Sequence, residues 1–225
     1  MSDIASRIFA WGGVLCAVGF GAGLILADFL PPPSPSLQAN QVAAIYRENA
    51  AAIRGGMLLG LFGMAGYAAF VCVVAAEMRK MRLDSLLPVY LQLGAGSIGV
   101  LTVMLPIMLL GTTAFRPERD PALTQLLNDA AWLIIMTAFP TFVAQLGGVA
   151  AGILSDRSEP PVFPRWAGYL NLWVALLFVP GGLSFFFRKG PFAWDGLVSF
   201  WLAAVAFFIW LVVMTPLVLR SVARK

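Results

Sequence analysis

Mostly apolar positions run for twenty residues or more in six stretches of the chain, 8–27, 56–76, 86–110, 130–154, 167–187 and 197–219, and charged positions gather between them. A helix crossing the ~30 Å hydrocarbon core of a bilayer needs about 20 such residues. The strict alternation of a membrane β-barrel strand is missing from all six. The pattern therefore predicts an all-α, polytopic transmembrane helical bundle of six helices, a single domain over 1–225. Residues 1–30 hold the first helix and 31–55 an outer loop with an amphipathic helix. Helices two and three fill 56–112, an outer charged loop spans 113–129, and helices four to six occupy 130–225. The first run is expected to stay uncleaved. Arg7 is its one flanking cation, it exceeds the ~7–15 apolar residues of a signal peptide, and Ile25-Leu26-Ala27 is not a small-x-small cleavage site.

Composition agrees with the pattern. The 225 residues are 60% hydrophobic and 12% charged, with a mean hydropathy of +0.86, whereas a soluble domain carries about 25% charge. The net charge of +4 comes in short basic clusters between the runs, with no basic stripe interleaved with aromatics, so the partner it implies is the lipid bilayer and not nucleic acid. With the N-terminus inside, nine basic residues, Arg79, Lys80, Arg82, Arg220, Arg224 and Lys225 among them, fall on the inner side and six on the outer. That bias predicts both termini in the cytoplasm of a multi-pass protein of the bacterial inner membrane.

The outer loops carry their own signals. Pro31-Pro32-Pro33-Ser34-Pro35 predicts a stiff exit from the first helix. Ser36 is placed to cap a short helix with Val42, Ile45, Tyr46 and Ile53 on one face. Phe115-Arg116-Pro117-Glu118-Arg119-Asp120-Pro121 mixes both charge signs, as a solvated, salt-bridged turn or a ligand site would.

Histidine is absent, which removes His-ligated haem, His-bearing metal centres and a His general base. Lysine occurs at 80, 189 and 225, all at or beyond helix ends, so no buried Schiff-base lysine is available. Cys16 and Cys72 each sit alone in an apolar run as small fillers, and nothing favours a bridge between them. No metal, no cofactor and no catalytic residue is expected, and the chain does not read as an enzyme.

The residues with chemistry to offer a ligand are Asp129, Trp132, Thr137, Thr141, Gln145, Asn171, Trp173, Pro180 and Gly181. Thr137, Thr141 and Gln145 recur at i, i+4 and i+8 on one helical face, which must turn away from lipid. That stripe is either a ligand surface or interhelical glue, and Pro140 within it leaves room for hydroxyls that repair a broken ladder. Asp129 is expected near the outer mouth, with Arg116 or Arg119 as its nearest donors in sequence. A cavity beside the stripe would be bordered by Trp173 or by Pro180-Gly181-Gly182. That triplet either unwinds a helix and frees carbonyls or ends it. Pro106 and Pro216 fall near the ends of the third helix of each half, as an inverted 3 + 3 repeat would place them.

Phe29-Leu30-Pro31-Pro32-Pro33-Ser34-Pro35-Ser36, Phe115-Arg116-Pro117-Glu118-Arg119-Asp120, Pro161-Val162-Phe163-Pro164-Arg165-Trp166 and Gly168-Tyr169-Leu170-Asn171-Leu172-Trp173 resemble stretches of a bacterial family of six-helix integral membrane proteins, found in actinobacteria and some proteobacteria. The resemblance spans most of the chain. It implies the architecture, and because no activity is assigned to that family it implies no catalytic residues.

Two functional readings follow. In the first the protein binds or translocates a small, largely apolar solute. In the second it is a non-catalytic subunit, a homo-oligomer or the partner of another membrane protein, packing through glycine-rich helices one to three, where Gly19-x3-Gly23 and Gly56-x3-Gly60 permit close approach.

Overall fold

The computed structural model describes residues 3–224, so Lys225 lies outside the described residues. Six helices are long and apolar enough to cross a membrane: Ile4–Leu26, Ala50–Met78, Leu87–Phe115, Pro121–Ser155, Arg165–Phe185 and Leu197–Ala223. They are called the first to sixth spans below. No strand occurs among the described residues. With six crossings both termini lie at one end, here the terminal end. The opposite end is covered by a surface helix, Ala39–Glu48, and is called the capped end.

Glycine sets the closest contact. The first and second spans run antiparallel, with Gly12 against the Gly66 carbonyl, Gly19 and Phe20 against Gly63, and Gly23 against Gly56 and Gly60. A Cβ on Gly63 would lie 2.8 Å from the Phe20 nitrogen, and one on Gly19 would lie 2.9 Å from the Leu59 carbonyl oxygen. Backbone meets backbone there, so no side chain can yield. The Gly19 and Gly56 motifs expected to bring helices close do so within the chain. The first span ends in a Schellman turn: Asp28 takes φ 55°, its N–H reaches the Ile25 carbonyl, and the Phe29 N–H reaches the Leu24 carbonyl.

Phe29 thereby turns inward against Tyr46 and Trp132, with ring centroids 6.0 and 5.7 Å away. The proline-rich exit is held by the Trp194 indole, which donates to the Pro33 carbonyl at 2.8 Å. Ser36 does not cap the surface helix. Gln38 does, in a capping box with Gln41, because Ser36 pairs instead with the Ser34 hydroxyl. Val42 and Tyr46 face inward as expected, whereas Ile53 belongs to the second span, across a break at Asn49.

The charged 115–120 loop makes no ion pair among the described residues. Asp120 caps the fourth span through the amides of Ala122 and Leu123. Arg119 donates to the Thr112 carbonyl and Arg47 to that of Pro117. At the terminal end Asp156 ties two loops together, accepting from the backbone N–H groups of Arg82, Ser158 and Val162. Beside it Arg157 forms a two-pronged bridge to Asp84 at 2.7 and 3.0 Å. Glu77, buried under the sixth span, accepts from Ser221 at 2.5 Å and pairs with Lys80 at 2.7 Å.

Candidate functional site

Three consecutive irregularities meet in the capped half of the bundle. The fourth span is two helices, Pro121–Thr137 and Phe139–Ser155. Pro140 has no N–H to offer the Met136 carbonyl four residues back, and its ring crowds that carbonyl. Thr137 and Thr141 bond carbonyls of their own span, those of Leu133 at 2.7 Å and Ala138 at 2.8 Å, and neither of these is the Met136 carbonyl freed by Pro140. The fifth span stops being α-helical at Phe178 and continues as a 3-10 turn over Val179–Phe185. Gly181 sits where a Cβ would be 2.6 Å from the freed Met136 carbonyl oxygen, and Gly182 where one would be 2.7 Å from the Phe139 ring. The two breaks are nested. The sixth span opens with a π-helical turn, Leu197–Trp201. There Ser199 donates toward the Pro180 carbonyl at 3.1 Å and lies 3.0 Å from that of Phe192.

These irregular turns leave a cavity of about 90 Å³ lined by the first, fourth, fifth and sixth spans, with Met64 and Tyr67 of the second and Val103 of the third. Trp132, Gly181 and Ser199 line its capped end, and Tyr67, Phe142 and Phe207 line it nearer mid-span. Phe207 packs 5.7 Å from Tyr67 and 5.9 Å from Phe142, closing the floor. Trp210 extends that floor, 6.3 Å from Tyr67. The Ser199 and Tyr67 hydroxyls of the lining both donate to partners in the chain, and Trp132 is the other lining residue with an N–H or O–H in its side chain. Trp132 is 1% exposed and its N–H has no acceptor among the described residues.

Beneath the floor lies a second, polar layer. Tyr67 donates to Gln145 Oε1 at 2.8 Å. Gln92 donates to the Val71 carbonyl at 3.2 Å, and Trp210 donates to Asn171 Oδ1 at 2.8 Å. Asn171 in turn donates to the Ala167 carbonyl at 2.7 Å. Gln145 Nε2 and Gln92 Oε1 are buried without partners. Gln145 packs over Gly96 of the third span, and Thr141 faces Gly99.

Of the nine residues singled out from sequence, Trp132 and Gly181 line the cavity, and Pro180 lends it a carbonyl through Ser199. Gln145 faces inward at 1% exposure, as its amide requires, but the stripe it belongs to is broken by Pro140 and packs on glycine faces of the third span instead of opening on a void. Asn171 joins the fifth span to the sixth. Trp173 is 64% exposed on the outer flank of the fifth span and does not line this cavity. Asp129 accepts from Asn128 at 3.2 Å, and the cation that acts on it is Arg188, not Arg116 or Arg119, the latter of which donates to the Thr112 carbonyl. Asn128 also accepts from Tyr46 at 3.0 Å. Burial, and then the Asp129 charge, push the Tyr46 phenol far above its ordinary value, so it stays a donor. Among the cavity residues that sequence reading missed, Tyr67 belongs to the second span and Phe142 to the fourth, while Phe20, Ser199, Phe207 and Phe208 belong to the first and sixth. The π-turn that aims Ser199 has no sequence signature, and the phenylalanines stand in uniformly apolar helices.

Compared with protein-family models, curated proteins and solved structures, the chain matches none.

Proposed function

We propose that the protein binds a small, largely apolar solute in the cavity at the nested helix breaks, with the Trp132 indole N–H as its anchor. The observation that carries this reading is the cavity itself, an apolar space of about 90 Å³ lined in part by Trp132, whose buried indole N–H lacks an acceptor among the described residues. A buried donor left unpaired costs about 1–3 kcal/mol. A solute carrying one acceptor, a ketone or ester carbonyl for instance, recovers part of that cost while its apolar body fills the space. The closed aromatic floor favours binding over an open path. Passage across the membrane needs Phe207 and Tyr67 to part. The glycine faces of the first two spans, which the assembly reading would use for a partner, are already filled by each other. That favours the solute reading. The accompanying orientation has both termini in the cytoplasm of a bacterial inner membrane.

The test is organic extraction of the purified chain followed by mass spectrometry, for the wild type and for Ala204→Phe, which fills the cavity from its wall. Wild-type protein is expected to release a carbonyl-bearing apolar compound near one equivalent, and the variant to release little while its unfolding temperature is held or raised. No such compound from the wild type, or equal amounts from both proteins, overturns the reading.

A further inference from the structure

A second recess lies at the terminal end, far from the cavity and independent of it. We propose that it holds the phosphate of an anionic lipid headgroup, with Arg220 and Arg224 as its ligands. The recess has a volume of about 350 Å³, walled by Pro160, Pro164 and Trp166 on one side and by Leu217, Arg220 and Arg224 on the other. The two arginines are one turn apart at the end of the sixth span, so they share a face. Neither guanidinium has an ion pair or a side-chain hydrogen bond among the described residues. Positions in a last helical turn suit the helix dipole, but the dipole needs neither the recess nor the indole across from it.

The surroundings leave positive charge in excess. Ser221, also on the wall, donates to Glu77, and Lys80 offsets that carboxylate. Glu159 precedes the proline wall and is exposed to solvent. Arg165 is turned away, donating to the Leu154 carbonyl at 3.2 Å. Two guanidiniums on one wall favour an anion within the recess, and their forked donors match phosphate oxygens. The remaining walls suit the rest of a lipid. Trp166, 52% exposed at the start of the fifth span, has the position of an interfacial anchor. Leu217 and the prolines offer an apolar surface to the glycerol and first methylenes. Basic pockets between spanning helices take acidic lipid headgroups in this manner.

The experiment uses the full chain in nanodiscs of phosphatidylcholine doped with phosphatidylglycerol, with retained lipids measured by native mass spectrometry. Wild type is expected to retain phosphatidylglycerol over phosphatidylcholine. R220Q/R224Q is expected to lose about tenfold or more of that preference, given the contribution of each basic residue at a membrane surface. R220K/R224K, which keeps the charge and loses the fork, is expected to fall between them. Helicity and unfolding temperature in pure phosphatidylcholine show whether the variants fold. If R220Q/R224Q does not, the same comparison is made with R224Q, at the exposed end of the helix. Equal preference in wild type and the Gln variant overturns the proposal. So does binding of inorganic phosphate that depends on both arginines while phosphatidylglycerol shows no preference, because the site then serves a free anion.

Discussion

The hydrogen bond between Tyr67 and Gln145 makes an ordering of stabilities that the opposite geometry would reverse. Gln145 Oε1 accepts the Tyr67 hydroxyl at 2.8 Å, while Gln145 Nε2 is buried with no partner. Tyr67→Phe removes the donor and leaves the whole amide unpaired, carbonyl and N–H together. Gln145→Leu removes the amide with its unpaired N–H and leaves one hydroxyl unpaired. Tyr67→Phe is therefore expected to cost more than Gln145→Leu, by roughly 1 kcal/mol, the low end of the cost of a buried unpaired polar group. The double variant Y67F/Q145L leaves neither group exposed to hydrocarbon and is expected to lie close to wild type. The coupling between the two sites should fall at about 0.6–1.7 kcal/mol, between the mean and the largest value measured for hydrogen bonds between membrane helices. Leucine fits because the Gln145 side chain lies on Gly96, where the third span leaves room for it. Equilibrium unfolding of the four proteins in mixed micelles, followed by circular dichroism, gives all four free energies. Additive single costs, or a Gln145→Leu variant weaker than Tyr67→Phe, would refute the assignment.

Gly63→Ala, whose new Cβ would meet the backbone of the first span, is expected to lower the unfolding temperature clearly, while Gly94→Ala and Gly147→Ala, which face open space, should hold or raise it through a helix-propensity gain of about 1 kcal/mol. Asp156 titrates outside the spans: burial alone would raise its pKa, but the Ser158 hydroxyl and the amides of Val162, Ser158 and Arg82 together hold it below its ordinary 3.8. A carboxyl with a depressed folded-state pKa stabilises the fold above its unfolded value and loses that contribution as pH falls through the folded one. The difference in unfolding temperature between wild type and Asp156→Asn should thus be constant above about pH 4 and shrink below it; a difference that grows with acid would contradict the loop geometry. A cytoplasm-active reporter joined after the C-terminus should be active and a periplasm-active one silent, as the basic bias requires, and the reverse pattern would invert the orientation.

The six spans were legible because run length against bilayer thickness is a strong constraint, and the helix breaks at Pro140 and Pro180-Gly181-Gly182 were legible because proline removes a donor wherever it stands. Gln145 faced inward as expected, since its amide has nowhere else to go. Trp173 shows where such reasoning stops. In water an aromatic side chain on a helix reports the core, but beside lipid both faces of a helix are equally comfortable, so its inward and outward faces look alike in sequence. Phe207 and Phe208 are neighbours with the same side chain, and one is buried while the other is half-buried. The cap at Gln38 was hidden for a different reason: Ser34 lies two residues from Ser36 and takes its hydroxyl, a local competition that residue preference alone does not rank.

Phe20, Met136, Ala204 and Phe208 are half-buried where they line the cavity, and Leu30 lines it beyond the end of the first span. On the proposed function, a solute that enters between the half-buried flank residues comes out of the lipid phase. Its abundance at the entrance is set by partition into the bilayer, which rises about fourfold for each methylene at ~0.8 kcal/mol apiece. Much of the selection for apolar character is then made by the membrane before any protein contact forms. What remains for the site is to distinguish among solutes already dissolved beside it, by length against the aromatic floor and by an acceptor within reach of Trp132.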